Sequence, residues 1–419
     1  RFLQRARHCF TVCGGEVMAT PKLRFKEFEG DWSTNKIEEI SIVTSGGTPS
    51  RNVSDYWNGD IPWVTTSLVD FNVINEAEEF ITQVGLDNSS AKLFHKDTIL
   101  MAMYGQGITR GKVAILGIDA TTNQACAAIK LKNGFETKFI FQNLMNRYEE
   151  IRDLSNEGGQ KNLSAGIIKE ILISFPEKEE QTKIASFLSA VDEKISQLTQ
   201  KHELLSQYKQ GMMQKLFSQQ LRFKADDGSE FGEWEEKKLG EVGENIIGLT
   251  YSPTDVTNDG TGILVLRSSN IKEGRLDKSD KVRVNKKIQD KIIVQPNDIL
   301  ICTRNGSQRL IGKSVIINDD EVMTFGAFMS VYRSKYNRFI AYLMQTPWFF
   351  EQVQMNLGAR INQITTGTLN EFTFDFPCLE EQTKIANFLS AIDQKIEVVA
   401  QQIEQAKQWK KGLLQQMFV

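Results

Sequence analysis

EEQTKIASFLSAVDEKI occupies residues 179–195, and EEQTKIANFLSAIDQKI occupies residues 380–396. They differ only at Ser186/Asn387, Val191/Ile392 and Glu193/Gln394, at an offset of 201 residues. The same offset aligns YKQGMMQKLF, from Tyr208, with WKKGLLQQMF, from Trp409, and Phe175-Pro176 with Phe376-Pro377. A period this long is foreign to solenoid repeats of 20–50 residues and indicates a duplicated domain.

Apolar residues in the first copy fall at Ile184, Leu188, Val191, Ile195, Leu198, Leu205, Met212 and Leu216. In the second they fall at Ile385, Leu389, Ile392, Ile396, Val399, Ile403, Ala406, Leu413 and Met417. The spacings of three and four make a heptad seam, with His202 and Lys209 at two skipped positions of the first copy. A helix of roughly 40 residues is about 60 Å long and cannot bury such a stripe by itself. The other copy is the simplest partner, so an antiparallel coiled coil in a pseudo-twofold molecule is expected. Gln181, Lys183 and Lys194, with their copies Gln382, Lys384 and Lys395, lie off the seam and read as a solvated or partner-binding face.

Upstream of each helix the halves diverge, but their punctuation survives. LRFKEFEGDWSTNKIEEI, from Leu23, resembles LRFKADDGSEFGEWEEKKLGEV, from Leu221, and DTILMAMYGQGITRGKVAIL at 97–116 parallels NDILICTRNGSQRLIGKSVII at 297–317. Short apolar runs at 61–65, 98–103, 113–116 and 125–131, matched by 263–266, 298–303, 314–317 and 329–333, read as strands. One helical stretch per half is expected near 139–154 and 338–356. The expected class is α+β, with divergent domains at 18–176 and 220–377 and helices at 177–219 and 378–419. Residues 1–17 lack the apolar core of a secretory signal and are set aside as an N-terminal extension.

Apolar residues make up 40% of the chain and charged residues 25%, an ordinary globular balance, and no apolar run reaches membrane-spanning length. The net charge of −3 requires that any nucleic-acid contacts be local, or shared with a partner. The five cysteines form no C-x-x-C pair, which suits free thiols in a reducing cytoplasm. His8, Cys9 and Cys13 lack a nearby fourth ligand for a structural zinc site. Catalytic signatures are missing as well. Five residues separate Gly306 from Gly312, and Gly105 from Gly111, where a phosphate loop allows four, and a strand pattern follows. There is no dinucleotide fingerprint, H-E-x-x-H, nucleophile elbow or amino-methyltransferase N/D-P-P-Y/F motif. No catalytic or metal residue is therefore expected.

Two glycine-bounded loops carry DNA-reading chemistry at equivalent places: Tyr104, Gln106, Thr109, Arg110 and Lys112 in the first half, and Arg304, Asn305, Gln308, Arg309 and Lys313 in the second. Arginine forks onto guanine O6/N7 and glutamine or asparagine onto adenine N6/N7, while lysine and hydroxyls suit phosphates. Further candidates are Thr65, Thr66 and Ser67, opposite Arg267, Ser269 and Asn270, and Lys161, opposite Arg360. A solvated turn is the plain alternative for each.

Taken together, the duplicated EEQTKIA-x-FLSA helices, the Y/W-K-x-G segment, the L-R-F-K…W start of each half and the G-x₅-G-K turn resemble the specificity subunits of type I restriction–modification systems, over 18–419. The resemblance implies two target recognition domains reading a split DNA sequence, spaced by an antiparallel coiled coil. It implies two methyltransferase subunits that carry S-adenosylmethionine and methylate adenine N6, and translocase–nuclease subunits that use ATP and Mg2+. It places no cofactor and no catalytic residue in this chain. A DNA-modifying enzyme with unrecognised motifs and a coiled-coil scaffold without DNA readout are the alternatives.

Overall fold

A proline closes each divergent domain. Pro176 and Pro377 stand just ahead of the helices Lys178–Phe217 and Leu379–Met417, where a missing backbone N–H costs nothing. Each turn is fastened from inside the helix. Gln181 Nε2 donates to the Pro176 carbonyl and Gln382 Nε2 to the Pro377 carbonyl, both at 2.8 Å. The Gln181 Oε1 also accepts from the Glu136 amide at 3.0 Å. Both glutamines are buried, so they belong to the helix anchor and not to the solvated face expected from the seam.

The computed structural model describes residues 3–5, 20–105, 108–154, 162–357 and 362–419. These form two compact units, and each helix is divided between them. The first unit comprises 1–198 and 401–419, and the second 199–400. The units are thus discontinuous in sequence, whereas the domain plan above is contiguous.

In the first unit, Ser41–Ser45, Cys126–Leu131, Ile99–Ala102, Val113–Leu116 and Val73–Ile74 lie side by side in that order. All neighbours are antiparallel except the last pair. A second sheet runs Glu79–Ile81, Trp57–Val64, Ala120–Thr122, Leu93–Phe94. The second unit repeats the plan with Glu244–Ile247, Met329–Arg333, Ile299–Cys302 and Ser314–Ile316, all antiparallel, beside a sheet of Val256–Thr257, Arg283–Val284, Ile263–Leu266 and Met323–Phe325. The central ILMA and ILIC strands are buried throughout, which explains their unbroken apolar runs.

The expected single helical stretch is two helices in each half. Thr137–Asn146 and Tyr148–Asp153 break at Arg147, whose ψ of 18° leaves the helical range. Asn337–Leu343 and Pro347–Met355 break because Pro347 starts a new helix, capped by the Thr346 side chain.

Within the first unit, Ile184, Leu188 and Val191 share a core with Leu413, Met417 and Phe418. The start of one helix therefore meets the end of the other. Within the second unit, Met213 and Leu216 share a core with Ile385, Leu389, Ile392 and Ile396. The pairing is antiparallel in both. Leu198 and Val399 are buried as the heptads require, and Ile195 is half-buried. The seam takes Met213 rather than Met212, which is half-buried. The skipped heptad position in each copy holds a lysine: Lys209 pairs with Asp393 at 2.8 Å and Lys410 with Asp192 at 2.5 Å.

The L-R-F-K and E-E-Q-T-K segments repeat together because they touch. Arg24 forks onto Glu180 at 2.8 and 2.7 Å, and Arg222 forks onto Glu381 at 3.1 and 2.8 Å. Phe25 packs edge-on against Phe187, as Phe223 does against Phe388. Lys183 meets Glu27, and Lys384 meets Asp226. The backbone of Leu3–Arg5 pairs antiparallel with Leu23–Phe25. Part of the segment set aside as an extension thereby joins the fold as a strand.

Candidate nucleic-acid interface

Five matching backbone hydrogen bonds define one frame in both units. Gly47 N donates to Thr122 O, as Leu249 N does to Phe325 O. Asn123 N donates to Val64 O, as Gly326 N does to Leu266 O. Met103 N donates to Ala125 O, as Thr303 N does to Phe328 O, and Gly111 N donates to Ala102 O, as Gly312 N does to Cys302 O. Leu163 N donates to Met103 O, as Ile364 N does to Thr303 O. The frame makes Thr65–Thr66–Ser67 equivalent to Arg267–Ser268–Ser269, Tyr104 to Arg304, Gln124 to Ala327 and Lys112 to Lys313.

The G-x₅-G-K turns owe their last glycine to this frame. Gly111 and Gly312 have φ of +85° and +84°, and a Cβ would come within 3.3 Å of Arg152 Cα in one and 3.0 Å of Val353 Cγ2 in the other. The D-x-L and N-D-I-L turns place Asp97 and Asn297 at φ of +67° and +66°, a conformation these two side chains tolerate.

In the second unit the frame encloses an open cleft of about 1130 Å³. It gathers four of the expected readers, Arg267, Ser269, Arg304 and Asn305, around a floor that includes Tyr251 and Phe328. The readers are not equally available. Arg267 and Ser269 both donate to Asp280, and the Ser269 hydroxyl, ahead of the Arg267 guanidinium, holds that carboxyl below its usual range. Asn305 donates to Ser268 Oγ at 2.9 Å and accepts from the Ser307 amide at 2.9 Å, so both ends of its side-chain amide serve the loop. Asn270 is a correction. It is fully buried, caps the Arg267 amide at 2.8 Å and donates to the Asp277 and Asp280 carbonyls, and so belongs to the frame. Arg304 is exposed, with its guanidinium carbon 4.9 Å from the Phe328 ring centroid. Gln308, Arg309 and Lys313 lie outside the cleft lining. Gln308 touches Gln354 at 3.5 Å, and Arg309 is exposed.

In the first unit, Thr65 and Ser67 bond to each other through their hydroxyls. Tyr104 is exposed. Thr109 is half-buried, and Arg110 donates to the Arg152 carbonyl at 3.2 Å. Lys112 pairs with Asp70 at 2.5 Å and is largely covered, which makes it a strut of the turn and not a free phosphate ligand. Gln106, Lys161 and Arg360 lie outside the described residues.

Sequence reasoning missed Phe328, Tyr251 and Gln124. Aligning strands Cys126–Leu131 and Met329–Arg333 by their shared sheet position points at all the residues just before them, including the exposed Gln124, which accepts from Thr48. It also missed Arg51, which forks onto Glu79 and lies 3.7 Å over the Trp57 ring. Among the described residues no three or more His, Cys, Asp or Glu side chains cluster as metal ligands, and no helix is long and apolar enough to cross a membrane.

Comparison with known proteins adds a further finding. Residues 29–207 and 232–408 each match the model of the type I restriction modification DNA specificity domain. The type I restriction enzyme MjaIX specificity subunit of Methanocaldococcus jannaschii is 30% identical over 225 residues, which span 51% of either chain, so the match covers about half of that relative. The MjaVIII specificity subunit of the same organism is 24% identical over 93% of this chain and 94% of its own. The fold is similar to a crystal structure of the type I restriction–modification S subunit from M. genitalium, with a TM-score of 0.60 at 16% identity over 96% of this chain and 99% of that one.

Proposed function

Because the chain belongs to the type I restriction-modification DNA specificity family, a sequence-recognition role is its premise, and we propose that each unit reads one half of a two-part DNA target. The observation that carries this is one hydrogen-bonded frame presenting two different sets of side chains. A shared frame with a divergent rim suits two readers of unlike sequence, whereas a scaffold has no use for the divergence. The chain supplies recognition and leaves chemistry to its partners. Those are two methyltransferase subunits that bind S-adenosylmethionine and modify adenine, and translocase–nuclease subunits that use ATP and Mg2+. The paired helices set the spacer between half-sites, and tethering two modest readers raises affinity only for DNA that both reach together.

The test is a methylome map of cells carrying type I modification subunits, with and without this chain. Chain-dependent adenine methylation at a two-part motif with a fixed spacer is the expected result. Unchanged methylation beside an active partner overturns the proposal.

A further inference from the structure

Among the described residues, the cleft of the second unit contains one guanidinium fork without a hydrogen-bond or ion-pair partner. Arg267 is committed to Asp280, and Arg110 of the first unit to Arg152. Arg304 lines the cleft, is exposed, and has no side-chain hydrogen bond or ion pair among the described residues. It is not free to wander, because its guanidinium lies over Phe328.

Phe328 is 58% exposed, an unusual position for a phenylalanine at the end of a turn. Its backbone is fixed twice: the carbonyl accepts from both Thr303 N and Arg304 N, at 3.1 and 3.0 Å. The ring and the arginine that leans on it therefore share one rigid joint. The next loop is tied to the same place, since Asn305 N donates to Asn362 O and Asn362 Nδ2 to Gly306 O.

We propose that Arg304, positioned by Phe328, reads a guanine in the half-site recognised by the second unit. The inference rests on the recognition role proposed above. A planar fork with its donors uncommitted matches the O6/N7 pair of guanine, and no other base offers two acceptors there in the major groove. An aromatic face under the guanidinium holds the plane while leaving the N–H edge outward. The acid nearest in the cleft, Asp280, is already neutralised by Arg267, so it does not compete for Arg304. In the first unit the frame puts Tyr104 where Arg304 stands and Ala125 where Phe328 stands, so that half lacks this reader.

The experiment maps methylation in cells supplied with the full chain and type I modification subunits, comparing wild type, R304A, R304K, F328A and F328Y. R304A is expected to relax one G·C position in one half-site, lowering discrimination about tenfold to a hundredfold, with every other letter retained. R304K relaxes the same letter, because lysine cannot fork. F328A relaxes it less, and F328Y retains it. The inference is overturned if R304A leaves the motif unchanged letter for letter, relaxes an A·T position, or weakens all letters of both half-sites alike. If wild type yields no two-part motif, the recognition reading itself fails, and this inference with it.

Discussion

Replacing Glu381 with alanine withdraws the acceptor on which three donors converge. The carboxylate is fully buried. It accepts from Arg222 Nε at 3.1 Å, from Arg222 Nη2 at 2.8 Å and from Trp234 Nε1 at 3.1 Å. Without it the guanidinium, about a quarter exposed, loses its counter-charge. Removing one partner of a buried pair costs about 3–5 kcal/mol, most of it the penalty on the charge left behind. Arg222 keeps its bond to the Gly232 carbonyl at 2.6 Å and some water, which favours the lower end, about 3 kcal/mol.

The second unit holds 202 residues, and a chain of that size shifts Tm by about 2–4 °C per kcal/mol. Scanning calorimetry of the full chain should then show a fall of about 6–12 °C in the transition of the second unit. Glu381→Gln, which keeps one accepting oxygen, should fall by roughly half as much. A loss below about 2 °C for the alanine variant would mean that the fork contributes no more than a surface pair, and the account of why the two segments repeat together would fail.

Other consequences can be checked directly. Deleting one heptad from both long helices at once should shift or abolish the spacer preference in the methylome, and an unchanged spacer refutes the helices as its determinant. Asp393→Ala strands Lys209, which is 17% exposed, and should cost roughly 1–3 kcal/mol in denaturant unfolding, whereas the swap Lys209→Asp with Asp393→Lys should recover at least half of that. Burial pushes the Cys126 thiol up to about 12 and the Cys302 thiol up to about 11, so at pH 8 about one in a thousand or fewer is thiolate. Iodoacetamide mapping of the native chain at that pH should label exposed Cys378 and spare both; rapid labelling of Cys302 would contradict the packing described.

The repeat made the two-unit plan and the antiparallel helices legible, because a heptad is a statement about neighbours as well as about conformation. The expected strands also held, since ILMA and ILIC are buried on both faces and need no partner-dependent pattern. What stayed hidden depended on tertiary hydrogen bonding. Nothing in the composition of RSSN at 267–270 separates the fully buried Asn270 from the exposed Ser269; the difference arises from the Asp277 and Asp280 carbonyls folding back onto one amide. Lys112 looks like a phosphate ligand until Asp70 is brought beside it from 42 residues away. Phe328 was passed over because an exposed aromatic and a core aromatic have the same letter.

The helix seam raises the question of why a lysine stands where leucine would add apolar burial. Lys209 and Lys410 occupy equivalent places in the repeat, as do Asp192 and Asp393, and each lysine meets the aspartate of the other helix. A leucine would pack against any apolar neighbour, so sliding one helix by a heptad would cost it little. A lysine slid by a heptad leaves its aspartate and faces apolar side chains with its charge largely covered, at 17% and 18% exposure. That penalty, roughly 1–3 kcal/mol for each stranded charge, disfavours the heptad-shifted registers. Tyr342 adds to the selection in the second unit, since its hydroxyl donates to Asp393 at 2.8 Å and its ring lies under the Lys209 ammonium at 5.2 Å. Within each unit, a seam that tolerates a single alignment specifies the helix pairing in a way that apolar burial alone does not.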